Sequence, residues 1–130
     1  EMICANPDLV VQRGSQLIYC GGALAQLYAK MGGKVIMAGK PYRPIYELCL
    51  QEAEQVLGHK VDRDRVLCIG DAVATDALGA NEQGLDVLFI ASGIHGGETV
   101  RDGRLDTEAV GRLLAKDGAS AAYAMADLAW

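Results

Sequence analysis

Basic residues never stand side by side in this sequence, its four cysteines form no C-x-x-C pair, and no apolar stretch approaches the roughly 20 residues a membrane-spanning helix needs. Each absence excludes something. With 12 Lys and Arg against 17 Asp and Glu, the net charge of −5 repels phosphate backbones and no local basic stripe compensates, so nucleic acid is not an expected partner. The lack of a long apolar run means that no membrane span is expected. Cys4, Cys20, Cys49 and Cys68 sit among apolar neighbours, as buried free thiols do, which points to a reducing, cytoplasmic compartment. No charged-then-apolar leader opens the chain, which begins Glu1-Met2, and further sequence is expected upstream of it. Repeats and low-complexity segments are absent as well. What is there is a chain of 130 residues, 51% apolar and 22% charged. Such a chain can bury roughly two-thirds of its unfolded surface, as one small domain or a piece of a larger one, and is not disordered.

Along the chain, Asn6-Pro7-Asp8 is turn chemistry, followed by a polar stretch to Ser15. Leu24, Leu27, Tyr28 and Met31 recur at helical spacing over 23–31, a stripe that Gly32-Gly33 stops. Lys34 to Ala38 reads as a short buried strand ending in Gly39-Lys40-Pro41. Pro44 is placed to open a helix whose apolar face carries Ile45, Leu48, Cys49, Val56 and Leu57, with Gly58 as the stop. Val66 to Gly70 is a second strand; Thr75 can cap a helix over 76–83, closed by Gly84. Asp86 to Ala91 is a third strand and Ser92 to Gly97 a loop. A helix opened by Thr107 runs to Lys116, and 121–126 makes a final short strand. Strands that are apolar at every position and alternate with helices predict an α/β fold, with a parallel sheet covered on both faces. Residues 1–39 carry three basic and two acidic side chains against nine and fifteen in 40–130, which places a boundary near Ala38.

Ligands of a parallel sheet bind beyond the carboxyl ends of its strands. Lys40 follows one such end and Asp71 another, with Asp76 at the entry of the next helix. A carboxylate on a strand end can ligate Mg²⁺, which usually shares one or two carboxylates with substrate phosphate. A lysine can neutralise phosphoryl oxygens as charge builds in transfer, and Asp76 can hold its ammonium in place. Taken singly, Asp71 is explained as a turn residue and Lys40 as a solvated side chain; the three together favour a site.

Gly39-Lys40-Pro41 and Gly70-Asp71-Ala72-Val73-Ala74-Thr75-Asp76 resemble the third and fourth motifs of the haloacid-dehalogenase-like (HAD) hydrolases. The order Asn6-Pro7-Asp8, Gly21-Gly22-Ala23-Leu24, GKP, GDxxxTD and Ser92-Gly93-Ile94 is similar to subfamily IIA. Its members have a large α/β cap and include sugar-phosphate, nitrophenyl-phosphate and pyridoxal-phosphate phosphatases. The resemblance implies that residues 1–37 are the end of a cap domain. It also implies that 38–130 are the C-terminal half of a doubly wound, Rossmann-like parallel core. It makes Asp71 a Mg²⁺ ligand, Lys40 the stabiliser of nucleophile and phosphoryl group, and Asp76 the support of both. Asn6 and Asp8 match a cap position on the substrate side, although their turn role alone explains them. A small phosphorylated metabolite is the implied substrate.

One departure outweighs the matches. The family's nucleophile and general acid are the aspartates of a D-x-D motif early in the chain, and the one D-x-D here, Asp62-Arg63-Asp64, stands before a strand rather than after one. Covalent catalysis through an aspartyl phosphate cannot then be run by these residues alone. The expectation is the C-terminal portion of a longer phosphatase, inactive alone and prone to self-association through an unpaired sheet edge. The rival is a non-catalytic α/β module for binding or assembly. Other signals fall away. Gly33 to Lys40 has the wrong spacing for a P-loop, and Pro41 stands where a metal-binding Ser or Thr would be. His59 and His95 lack zinc-ligand spacing, and His95 is expected to be a solvated loop residue. Tyr42 and Arg43 can reach a leaving group, though the start of the next helix explains them as well.

Overall fold

The computed structural model describes residues 1–13 and 16–129. The chain divides into two compact units, Glu1–Cys49 and Leu50–Trp130.

In the first unit, β1 (Met2–Cys4) pairs in parallel with β4 (Val35–Met37), and β2 (Val10–Arg13) pairs antiparallel with β3 (Gln16–Tyr19). The stretch expected to be merely polar up to Ser15 thus carries the strand β2, and its last residues, 14 and 15, lie outside the described ones. Helix α1 (Gly21–Lys30) starts two residues before the expected position. It ends where Gly32 turns to φ 87° and Gly33 N–H donates to the Tyr28 carbonyl, a left-handed stop that glycine adopts without strain. Its expected apolar stripe is not its buried face. Leu24, Leu27 and Met31 are exposed, while Gly22 and Ala25 are buried. The reason is a close backbone approach: a Cβ at Gly22 would overlap the Pro7 carbonyl, so the small-residue side of α1 lies on the Asn6–Asp8 turn and the leucines face outward.

Helix α2 (Arg43–Leu57) opens one residue before Pro44, with an Arg43–Glu47 pair at 2.6 Å on its first turns. Its buried residue is Tyr46; Leu48, Val56 and Leu57 of the expected apolar face are exposed.

The second unit is built on a parallel three-stranded sheet of order β5–β6–β9: Leu67–Gly70, Asp86–Ile90 and Tyr123–Met125. Central β6 supplies the core, with Val87, Phe89 and the following Ala91 essentially inaccessible. Among the described residues, β5 has a neighbour on one side only. Its Leu67 and Ile69 share a face that is more than two-fifths exposed, so the expectation of full coverage fails on this strand.

Between β5 and β6 the chain makes a π-helical turn over Val73–Ala77 and runs on into α3 (Leu78–Glu82). Gly84 at φ 67° ends it. Thr75 lies inside the π turn rather than capping a helix from 76. Between β6 and β9 come α4 (Gly96–Thr99), the antiparallel pair β7 (Val100–Arg101) and β8 (Arg104–Leu105), and α5 (Thr107–Lys116). The β7–β8 turn uses Asp102 and Gly103, both at positive φ, as a two-residue hairpin demands. The cap of α5 is Asp106, which accepts the Ala109 N–H at 2.9 Å, and not Thr107. No helix among the described residues is long and apolar enough to cross a membrane.

Candidate active site

The first unit brings the Asn6-Pro7-Asp8 turn to the glycine before Lys40. Asn6 Oδ1 accepts the Asp8 N–H at 3.0 Å, and the Asp8 carbonyl accepts the Gly22 N–H at 3.0 Å. A Cβ on Gly39 would overlap the Ala5 carbonyl and press on the Pro7 ring, so the G of GKP is a matter of backbone clearance. Lys40 is exposed in a tight turn closed by Tyr42 N–H to the Gly39 carbonyl at 2.9 Å, between β4 and α2. The Asn6 amide oxygen is therefore engaged in its own turn. The Asp8 carboxylate is exposed.

The second unit brings Asp71 and Asp76 together at the carboxyl end of β5. Asp76 is nine-tenths buried, and its Oδ2 accepts the backbone N–H groups of Asp71 at 3.2 Å and Ala72 at 3.0 Å. Both donors precede the helical turn, which has no side-chain cap of its own, so the carboxylate ties the turn back to the strand end and does not do the capping expected of Thr75. Gly70 is required here because any Cβ would overlap the Asp76 side chain. Asp76 thus fixes the backbone that presents Asp71.

Asp71 is held from the other side as well. Its Oδ2 accepts the Ile94 N–H at 2.9 Å, across 23 residues of sequence, and a side chain on Gly93 would strike the Asp71 carboxylate. The loop after β6 is in turn tied to the sheet: Ala91 N–H and Ser92 N–H donate to the Met125 and Ala126 carbonyls at 2.9 and 2.8 Å. His95 is not simply solvated; its half-buried ring lies 6.4 Å from that of Phe89. Asp62, of the displaced D-x-D, accepts the Asp64 N–H and opens the 3₁₀ turn Arg63–Arg65, a structural task. Among the described residues no three His, Cys, Asp or Glu side chains gather to hold a metal. Sequence reasoning gave Ile94 and Gly93 no role, because the contact runs through a backbone N–H and an absent side chain.

The HAD-hydrolase-like family model matches residues 37–116, which include GKP, GDxxxTD and the loop on Asp71. The chain belongs to the HAD-like hydrolases. None of the curated proteins matches it. Among solved structures, a haloacid-dehalogenase-like hydrolase from Brucella suis is 43% identical, with 98% of this chain covering 44% of that one at TM-score 0.69. A thermostable NPPase from Geobacillus stearothermophilus is 30% identical, over 72% of this chain and 36% of that one, at TM-score 0.60. A possible sugar phosphatase from Cytophaga hutchinsonii, at 20% identity, 96% and 40% coverage and TM-score 0.68, shares the fold. This HAD-like chain spans less than half the length of each of these three structures.

Proposed function

We propose that this HAD-like chain carries the metal-binding and phosphoryl-stabilising half of a Mg²⁺-dependent phosphatase for a small phosphate monoester. In this reading, the nucleophilic aspartate comes from polypeptide outside these 130 residues. The observation that carries the reading is the Asp71 carboxylate at the end of β5, with its backbone clamped by Asp76, its Oδ2 taken by Ile94 N–H and its Oδ1 left open. That donor fits Mg²⁺, a hard cation that is usually held by one or two carboxylates and completes its shell with phosphate and water. Bound there, the cation would neutralise charge growing on the phosphoryl oxygens.

Asp76 contributes by keeping the strand end rigid, and Lys40 by its positive charge toward the phosphoryl group. Asn6 and Asp8 belong to the substrate side, the exposed Asp8 carboxylate with more freedom to act than the Asn6 amide. We assign residues 1–37 to the end of a cap and 38–130 to the core. A reducing, cytoplasmic setting is supported by four free cysteines. Self-association through a second copy of the chain is supported by the exposed Leu67 and Ile69 on the edge strand β5 and by the outward leucines of α1.

Hydrolysis of p-nitrophenyl phosphate tests the reading. The 130-residue chain alone is expected to give no turnover, and measurable Mg²⁺-dependent turnover by it would overturn the missing-nucleophile reading. In a polypeptide that also carries a D-x-D segment, Asp71→Ala is expected to lower the rate by about two orders of magnitude or more. Equal rates would remove Asp71 from the site. The upstream reading frame separates the rival: an authentic start at Met2 would favour a non-catalytic binding module.

A further inference from the structure

Helix α5 presents two different faces. Val110 and Leu114 are buried in the core of the second unit. Ala109, Arg112, Leu113 and Lys116, at i, i+3, i+4 and i+7, form a second stripe, which lines a cleft of about 370 Å³. His95, Glu98 and Arg101 supply the rest of the lining, with Asp117 at the end of α5. The walls are fixed by bonds that do not enter the cleft. Thr99, at the end of α4, is completely buried, and its Oγ1 lies 2.7 Å from the Ala91 carbonyl and 2.9 Å from the His95 carbonyl. The Thr99 carbonyl accepts the Asp106 N–H at 2.9 Å, which ties α4 to the start of α5. Arg101 is oriented from the same point: its Nε lies 3.2 Å from Oδ2 of Asp106, whose Oδ1 accepts the Ala109 N–H.

We propose that this cleft binds a small organic anion that carries two or more negative groups. Its lining sets Arg101, Arg112 and Lys116 against Glu98 and Asp117, a positive surplus in a chain whose net charge is −5. Two further carboxylates, Asp106 and Glu108, meet the arginines from beside the cleft without lining it. Asp106 holds Arg101 through Nε, and a guanidinium has five N–H donors, so that contact leaves donors for a ligand. Glu108 stands 3.5 Å from Arg112 Nη1, with side chains 87% and 67% exposed, and such a loose surface pair yields readily to a better anion. The cations lie on separate elements, Arg101 on β7 and Arg112 and Lys116 one turn apart on α5. Full use of them takes two anionic groups on one skeleton rather than one. Ala109 and Leu113 give that carbon skeleton an apolar surface, and Glu98 and Asp117 can accept from its hydroxyl groups. The volume is at the lower end of the range in which small molecules are held. The inference does not depend on Asp71 holding a metal.

The test needs no turnover. Backbone amide NMR signals of the 130-residue chain are followed during separate titrations with pyrophosphate, citrate and acetate, at matched ionic strength of about 0.15 M. Pyrophosphate or citrate is expected to give saturable shifts at His95, Arg101, Arg112 and Lys116, with an affinity about tenfold or more above that of acetate. Saturation by pyrophosphate alone makes the occupant a phosphorylated compound, and saturation by citrate alone a polycarboxylate. Saturation by both supports the shared polyanion chemistry. The double variant Arg112→Ala, Lys116→Ala changes two exposed positions of a helix to the best helix former, and is expected to weaken that binding about tenfold or more. Circular dichroism checks its folding; should it not fold, Arg101→Gln decides, with the same direction expected. Acetate binding as tightly as the polyanions overturns the inference, as does undiminished binding by the folded variants. Shifts near Lys40 with none in the cleft would place the anions at the phosphoryl site and overturn it too, and so would the absence of any saturable shift.

Discussion

The two units spend their apolar residues differently. In Leu50–Trp130 the central strand β6 buries Val87 and Phe89 at 1% and 0% exposure, and α3, which follows β5, packs against it. In Glu1–Cys49 several large apolar side chains are exposed: Leu17 is 71% exposed, Leu24 61% and Met31 77%. The first unit is held instead by backbone fit, with Gly22 on Pro7 and Gly39 on Ala5. One unit draws its cohesion from desolvated volume, the other from clearance between main chains, so the former should suffer when volume is removed and the latter when it is added.

Three variants sharpen that contrast. Phe89→Ala, which empties the sealed core, should cost about 3–5 kcal/mol in urea unfolding. A loss below about 1 kcal/mol would mean that the second unit is not closed around this ring. Gly22→Ala adds a single methyl where the Pro7 carbonyl already lies, and should cost about 1–3 kcal/mol in thermal melts, even though Ala is the better helix former. A stabilised variant would break the account of the first unit as a backbone fit. Smallest of all, the double change Leu24→Gln and Leu27→Gln should alter stability by no more than about 0.5 kcal/mol, because both side chains are exposed. The same change should lower any concentration-dependent association seen in sedimentation velocity. Unchanged association would show that α1 is not the face through which copies meet.

The sequence was most readable where the chain is most buried. Val87 to Ile90 is a continuous apolar run, and it is the sealed strand; the alternation with helices then makes the sheet parallel and the class α/β. The first unit was less readable for the same reason. Val10–Arg13 and Gln16–Tyr19 pair with each other but bury little, so no alternation of apolar and polar residues marks them. Met2–Cys4 is too short to show a period at all, and Asp102-Gly103 carries a hairpin signal between strands of only two residues. Helical spacing found α1, but it chose the wrong side, because Leu24 and Leu27 look like a core face until Gly22 is seen against Pro7. At the site, Asp71 and Asp76 were legible because a Gly-Asp turn after an apolar run is a local pattern. Ile94 and Thr99 were not, since a main-chain donor has no side-chain signature and a buried threonine spends its hydroxyl on carbonyls any sequence would supply.

The anchoring of the Asp71 loop to β9 also has a meaning in time. Leu88 pairs with Tyr123, and the Ala91 and Ser92 amides are completed only by the carbonyls of Met125 and Ala126. Parallel pairing over such a separation is slow to form, because the loop entropy must be overcome before the contact rewards it. The loop that steadies the carboxylate therefore depends on the most sequence-distant pairing of its sheet. Until strand β9 docks, a chain that already has its first two core strands still lacks the anchored loop that holds the Asp71 carboxylate.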